Sequence, residues 1–211
     1  MTAVEMLDDD TFLGAENAHN LLVVRKNGEA ATDEERQRLD IVGEFHLGEF
    51  VNRFRRGSLV MRQPDSELAK VPTLLYATIN GVIGVVASLP KEQYEFLAKL
   101  QEALCATVRG VGGFSWAAWR SFGNDLRTAD ARNFIDGDLI ECVSPSCSRA
   151  AWVSSLPARC AARLMRCCCP FRPRCRSFLD LKRHHMDEVA ARMEQSVEEL
   201  TKRVEELTRL H

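Results

Sequence analysis

Several things are absent from this 211-residue chain, and each absence removes a class of function. No apolar run approaches the roughly 20 residues a helix needs to cross a bilayer, so no membrane partner is expected. The opening MTAVEMLDDD has neither a basic n-region nor an apolar h-region and does not read as a secretion signal. No Gly-rich loop opens a helix to cradle phosphate; Gly110, Gly112 and Gly113 follow a helical run and stop it. Histidine is limited to five residues, His19, His46, His184, His185 and His211, too scattered to form a converging acid–base set. Asp8, Asp9 and Asp10 make a solvated acidic turn without a second ligand cluster. Asp136 and Asp138 read as helix-start residues rather than an acid/base pair. The expectation is a protein that is no enzyme and that holds no metal or cofactor.

Net charge is −2, but the balance hides a partition. Between Cys142 and Arg176 stand seven Arg and no Lys, Asp or Glu, so the remainder carries 21 basic and 30 acidic residues, a net of −9. An acidic body argues against direct, sequence-independent DNA binding, which depends on neutralising phosphates. With no secretion signal, a reducing compartment is the default and the cysteines are expected as thiols.

Along the chain the hydrophobic period changes once. Thr11–Leu13 and His19–Lys26 are strand candidates around a turn, and Thr73–Ile79 and Val82–Leu89 flank Asn80-Gly81, a strong hairpin signal when both turn residues take φ > 0. Leu13 with Leu75, Ala15 with Ala77, Val23 with Val85 and Val24 with Val86 share one offset, which suggests a repeated unit. Ala31–Leu39 between them is a polar loop with a short helical turn. From Pro90 the spacing of Tyr94, Leu97, Leu100, Leu104 and Val108 predicts an amphipathic helix over Lys91–Arg109, with Cys105 on its apolar side. Trp116, Trp119 and Phe122 lie three apart, which predicts a short aromatic helix docked on the core. Met186, Val189, Met193, Val197, Leu200, Val204 and Leu207 form the stripe of one final helix.

Cys142–Arg176 breaks the pattern: seven of the eight cysteines and four of the seven prolines sit there. Thiolate ligation by Cys142, Cys147, Cys160, Cys167, Cys168, Cys169 and Cys175 lacks paired C-x₂-C knuckles and any His, and three consecutive cysteines cannot all turn toward one tetrahedral ion. With few large aliphatics, the segment is expected to be disordered.

The most informative run is Gly43–Val60, GEFHLGEFVNRFRRGSLV. Phe45, Leu47 and Glu49 alternate with Glu44, His46 and Gly48, then Phe50, Asn52 and Phe54 continue after a one-residue slip, the mark of a strand that ends or bulges at its Gly. The run closely resembles a signature near the C-terminus of the damage-specific DNA-binding large-subunit family, in the cleavage and polyadenylation specificity factor A-subunit superfamily, which also includes a splicing-factor 3b subunit. FLGAEN (Phe12–Asn17), WRSF (Trp119–Phe122), FIDGDLIE (Phe134–Glu141) and VEELTKRVEELTRLH (Val197–His211) carry the resemblance in the family's order, the tail spelled as in green plants and algae. Removing Cys142–Arg176 joins DGDLIE to SFLDL and restores the family spelling, and codon degeneracy allows splice sites at its ends; the reading is a retained intron or a gene-model error.

The resemblance implies a mixed fold: a partial β-propeller over residues 1–89, the last blades of the family's third propeller, then an α-helical C-terminal domain over 90–141 and 177–211. It implies an adaptor in UV-damaged DNA repair and protein ubiquitination, nuclear and also cytoplasmic, linking a cullin–RING ubiquitin ligase to interchangeable substrate receptors. Cullin binds a middle propeller outside this chain, and DNA is met indirectly through a damage-reading subunit. Receptors insert a helical motif into a pocket whose wall corresponds here to Asn17, Phe50, Asn52 and Ile79. On residue type alone Phe50 and Ile79 read as inter-blade packing. His19 stands where an aromatic is usual, and Arg53, Arg55 and Arg56 make the strand more basic than the pattern, which bears on receptor preference. The rivals are a nucleic-acid module using Arg53, Arg55, Arg56 and Arg62, without an aromatic stacking platform, and a truncated product with unpaired strand edges and no independent function.

Overall fold

The computed structural model describes residues 1–59, 71–108, 113–141 and 178–207. Val60, Arg62, Gly110, Gly112, the Cys142–Arg176 segment and His211 lie outside the described residues, and so do the expectations placed on them.

Alternating burial builds the first half. Strands β1 (Ala3–Met6), β2 (Thr11–Ala15), β3 (Asn20–Lys26) and β4 (Leu39–His46) form an antiparallel sheet in chain order. A one-turn helix, α1 (Asp33–Arg36), sits in the loop before β4, its N-terminus capped by the Thr32 hydroxyl. Strands β5 (Val51–Arg56), β6 (Thr73–Thr78) and β7 (Ile83–Ala87) form a second antiparallel sheet. The shared sequence offset becomes a shared register: Leu13 faces Val23 in one hairpin as Leu75 faces Val85 in the other. The two sheets meet where the Thr2 hydroxyl donates to the Val51 carbonyl at 2.8 Å and Arg56 donates to the Met6 carbonyl at 2.7 Å.

The Asn80-Gly81 hairpin forms where expected, but with a different turn. Only Gly81 takes a left-handed φ, +81°, and the Gly81 amide donates to the Thr78 carbonyl at 3.1 Å. Asn80 is not among the positive-φ residues, and its side chain donates to the Glu49 carboxylate at 2.8 Å.

Helix α2 (Lys91–Thr107) buries Leu97, Leu100, Ala103 and Leu104. Cys105 is exposed, contrary to its expected place in the core, because Ala103 and Leu104 occupy the inward positions of that turn. Then come α3 (Trp116–Arg120), the short pair β8 (Phe122–Gly123) and β9 (Thr128–Ala129), and α4 (Gly137–Glu141). This stretch covers the free edge of β4: Glu44 and Arg132 exchange both backbone hydrogen bonds, at 3.1 and 2.9 Å. Covering an edge removes a template for unwanted strand pairing.

The single terminal helix of the sequence reading is two: α5 (Arg183–Met193) and α6 (Val197–Leu207), after a 3₁₀ turn at Phe178–Asp180. Glu194 ends α5 in the left-handed region at φ 54°, and the Gln195 amide returns to the Ala190 carbonyl at 3.2 Å, the bonding of a Schellman motif. The Ser196 hydroxyl then accepts from the Glu199 amide at 3.2 Å and restarts the helix. Val189, Val197, Leu200 and Val204 still share one apolar side across the break, and they join Leu13, Phe45, Tyr76 and Leu100 in one continuous core.

Candidate partner-docking surface

The ends of six strands place the candidate residues together. β2, β4 and β6 finish, and β3, β5 and β7 begin, at the same end of the two sheets, as the pairs Ala15–Leu21, Asn20–His46, Val51–Thr78 and Ala77–Ile83 require. Three connections therefore share one rim: the turn through Asn17 and His19, the crossover Leu47–Phe50 from one sheet to the other, and the turn that starts at Ile79.

These connections are tied to one another. His19, in the left-handed region at φ 62°, turns its carbonyl to accept the Leu47 and Gly48 amides at 2.9 and 3.1 Å. Its ring meets Phe50 edge-on at 6.2 Å between centroids. The Ile79 amide donates to the Phe50 carbonyl at 3.1 Å. Asn52 is the extra residue of a bulge between the pairs Val51–Thr78 and Arg53–Ala77, so it stands outside the ladder. Phe50 is half-buried, Asn17 and Asn52 are exposed, and Ile79 is 64% exposed. Neither Asn side chain has a hydrogen-bond partner among the described residues, which leaves a donor pair and an acceptor on each to offer a ligand.

Beneath the rim lies a polar support that the sequence reading did not identify. Arg120, 1% exposed, donates through Nε to Asp136 Oδ2 at 2.7 Å and through Nη1 to the His46 and Leu47 carbonyls at 3.2 and 3.1 Å. Trp116 Nε1 donates to the same Asp136 oxygen at 2.7 Å, and Asp136 Oδ1 accepts the Asp138 amide at 3.1 Å. Asp136 thus caps α4 as expected, and also neutralises a buried guanidinium. Glu44 is buried and paired with Arg127 and, at 3.2 Å, with Arg132.

The short aromatic helix docks through Trp116 and Arg120 rather than through Trp119, which is 54% exposed. The Trp119 ring lies over Gly48, where an added Cβ would come within 3.1 Å of it, and edge-on to His46 at 5.4 Å. Trp119 therefore adjoins the crossover that carries Phe50. In a helix this short only one side faces inward, and Arg120 occupies it; the three-residue aromatic spacing alone could not reveal that.

His46 Nδ1 sits 2.8 Å from Asn20 Oδ1. Asn20 Nδ2 donates to the Gly123 carbonyl, so its oxygen faces the ring and the imidazole nitrogen donates. Burial, then the Arg120 charge and His19, hold the His46 pKa below its ordinary 6.5. Asp8 has a carboxyl pKa below 3.8: slight burial raises it, but hydrogen bonds from Thr11 and Asp10 and the Arg25 charge outweigh that. The His184 and His185 rings on α5 lie 4.0 Å apart, tilted by 42°, remote in sequence from the rim.

Two hollows, about 220 Å³ beside Phe96 and Arg203 and about 270 Å³ beside Met6 and Arg56, contain none of Asn17, Phe50, Asn52 and Ile79.

Residues 1–144 match the CPSF A subunit region family. Over its full length the chain is 56% identical to DNA damage-binding protein 1a of Arabidopsis thaliana. It is 55% identical to DNA damage-binding protein 1 of Oryza sativa subsp. japonica and 54% identical to that of Solanum lycopersicum. The chain spans 16% of the length of each of these relatives.

Proposed function

Because this chain belongs to the CPSF A subunit region family, we propose that it forms the receptor-docking end of a non-enzymatic adaptor in the repair of damaged DNA. Its relatives are DNA damage-binding proteins by name, and the fold, antiparallel sheets with helices, is compatible with that of a scaffold. In this reading the two sheets are blades of a propeller, residues 1–89, followed by a helical unit over 90–141 and 177–211, with 142–176 a retained intron. The complete adaptor would join a cullin–RING ubiquitin ligase to its substrate receptors in the nucleus and cytoplasm. Cullin would engage a propeller outside this chain, and DNA would be reached through a separate damage-reading subunit.

One observation carries the reading: Asn17, Phe50, Asn52 and Ile79 share one rim, with an exposed aliphatic beside an aromatic and two unoccupied amides. A helical segment presenting an apolar stripe and a polar end suits such a surface.

The test is capture of receptor helical peptides by the purified chain. Phe50→Ala and Ile79→Ala are expected to weaken capture at least about tenfold, the loss typical of interface anchors, with the far-ultraviolet circular dichroism unchanged. Undiminished capture by both variants would sink the assignment. Steep salt-dependent retention of DNA by this chain alone would favour the nucleic-acid reading instead.

A further inference from the structure

Building on the docking reading, we propose that the partner helix carries a pair of carboxylates, three or four residues apart, on the flank that meets Arg53 and Arg55. Past the Asn52 bulge, Phe54 is buried at 4% exposure while its neighbours Arg53 and Arg55, which point to the opposite face of the strand, are exposed. Neither arginine has an ion pair or side-chain hydrogen bond among the described residues. Their neighbour Arg56 is already engaged, with Glu5 at 3.7 Å and the Met6 carbonyl at 2.7 Å. The two free guanidiniums follow directly on Asn52 in the chain and so extend the proposed docking surface along β5.

The cross-strand partners of the pair are apolar. Arg53 is opposite Ala77, which is opposite Ile83, and Arg55 is opposite Leu75. Ala77 is exposed, Leu75 and Ile83 are half-buried, and Ile79 follows two residues beyond Ala77. Two arginines flanking an aliphatic strip form the complement of an amphipathic helix with an acidic flank. The spacing agrees: residues two apart on a strand are separated by roughly 6.5–7 Å, and residues three or four apart on a helix by roughly 5–6 Å between Cβ atoms. A guanidinium fork matches a carboxylate in two parallel hydrogen bonds. Nucleic acid fits less well, because none of these neighbours is aromatic and the chain outside Cys142–Arg176 carries a net of −9.

The experiment is selection from a displayed library of amphipathic helices with a fixed aliphatic stripe and randomised flanks, against the full 211-residue chain. The expected result is enrichment of Asp or Glu pairs on one flank. Selected helices should bind the Arg53→Gln/Arg55→Gln variant about three- to tenfold more weakly, a loss that shrinks with added salt. Binders that need Phe50 and Ile79 but show no acidic flank overturn this inference and leave the docking reading standing. A selection that yields no binder sensitive to Phe50→Ala overturns both. Duplex oligonucleotide retention that is lost in the double variant, and is not competed by acidic helices, assigns the two arginines to phosphate and also overturns the inference.

Discussion

Arg120 and Asp136 lie 2.7 Å apart with both side chains withdrawn from solvent, and they connect the crossover under Phe50 to the start of α4. The guanidinium also serves the His46 and Leu47 carbonyls. Removing it would leave the Asp136 carboxylate buried without its countercharge, held only by Trp116 and the Asp138 amide, and would take a donor from two carbonyls; breaking a buried pair on one side costs about 3–5 kcal/mol. Arg120→Ala is therefore expected to lower the urea midpoint sharply and to weaken peptide capture at the rim. Arg120→Met, which keeps the volume, is expected to recover part of the stability but not the placement of the crossover. A shift below about 1 kcal/mol for the Ala variant would mean the pair is not structural.

Tyr76, 1% exposed, occupies the space above Gly84 on the adjacent strand. An added Cβ at Gly84 would lie 2.2 Å from the ring, a separation no packing permits. Gly84→Ala is expected to cost about 1–3 kcal/mol through overpacking, measured by equilibrium urea unfolding. In a Tyr76→Leu background the same change should cost clearly less, since two residues in contact are not additive. Equal costs in both backgrounds would show that the ring is free to move away.

The difference between what could be read in the residues and what could not follows their physics. Period-two runs around Leu13, Val23, Leu75 and Val85 forecast two hairpins, and folding gives both the same register. Asp136 was legible as a cap because capping is local, but its pairing with Arg120 joins positions 16 residues apart and left no local trace. The burial of Glu44 likewise depends on Arg127 and Arg132, 83 residues or more away, which no local pattern announces. Asn17, Phe50, Asn52 and Ile79 were grouped by motif spelling, and the strand ends bring them to one rim, whereas the exposure of Trp119 depended on which side of a one-turn helix faced inward. Ser196 and Glu199 did spell a helix start in the sequence, and the unbroken apolar stripe masked it.

That helix start supports its own prediction. Glu194 holds a left-handed φ of 54°, which a side chain resists and glycine accepts. Glu194→Gly is expected to stabilise the chain by about 0.5–1 kcal/mol, and Ser196→Ala to destabilise it by about 1 kcal/mol through the lost cap. Both are read from thermal or urea midpoints. If Glu194→Gly destabilises, the break between α5 and α6 is not held by this backbone geometry.

His46 provides the pH dependence. Its pKa in the folded chain is held below the ordinary 6.5 by burial, the Arg120 charge and His19. Below pH 6.5 the unfolded chain therefore binds the proton first, and unfolding becomes easier as pH falls. The neutral ring's contribution is complete above that value and is lost as pH descends from it toward the lowered folded pKa. Protonation would also place a cation beside Arg120 while Nδ1 still donates to Asn20. His46→Gln, which can offer the same donor to Asn20, is expected to flatten the fall in urea midpoint between about pH 7.5 and about pH 5.5. The wild-type chain should show the steeper fall, and peptide capture at the rim should decline with it, because His46 adjoins the crossover that carries Phe50. Parallel pH profiles for the two proteins would remove His46 as the source.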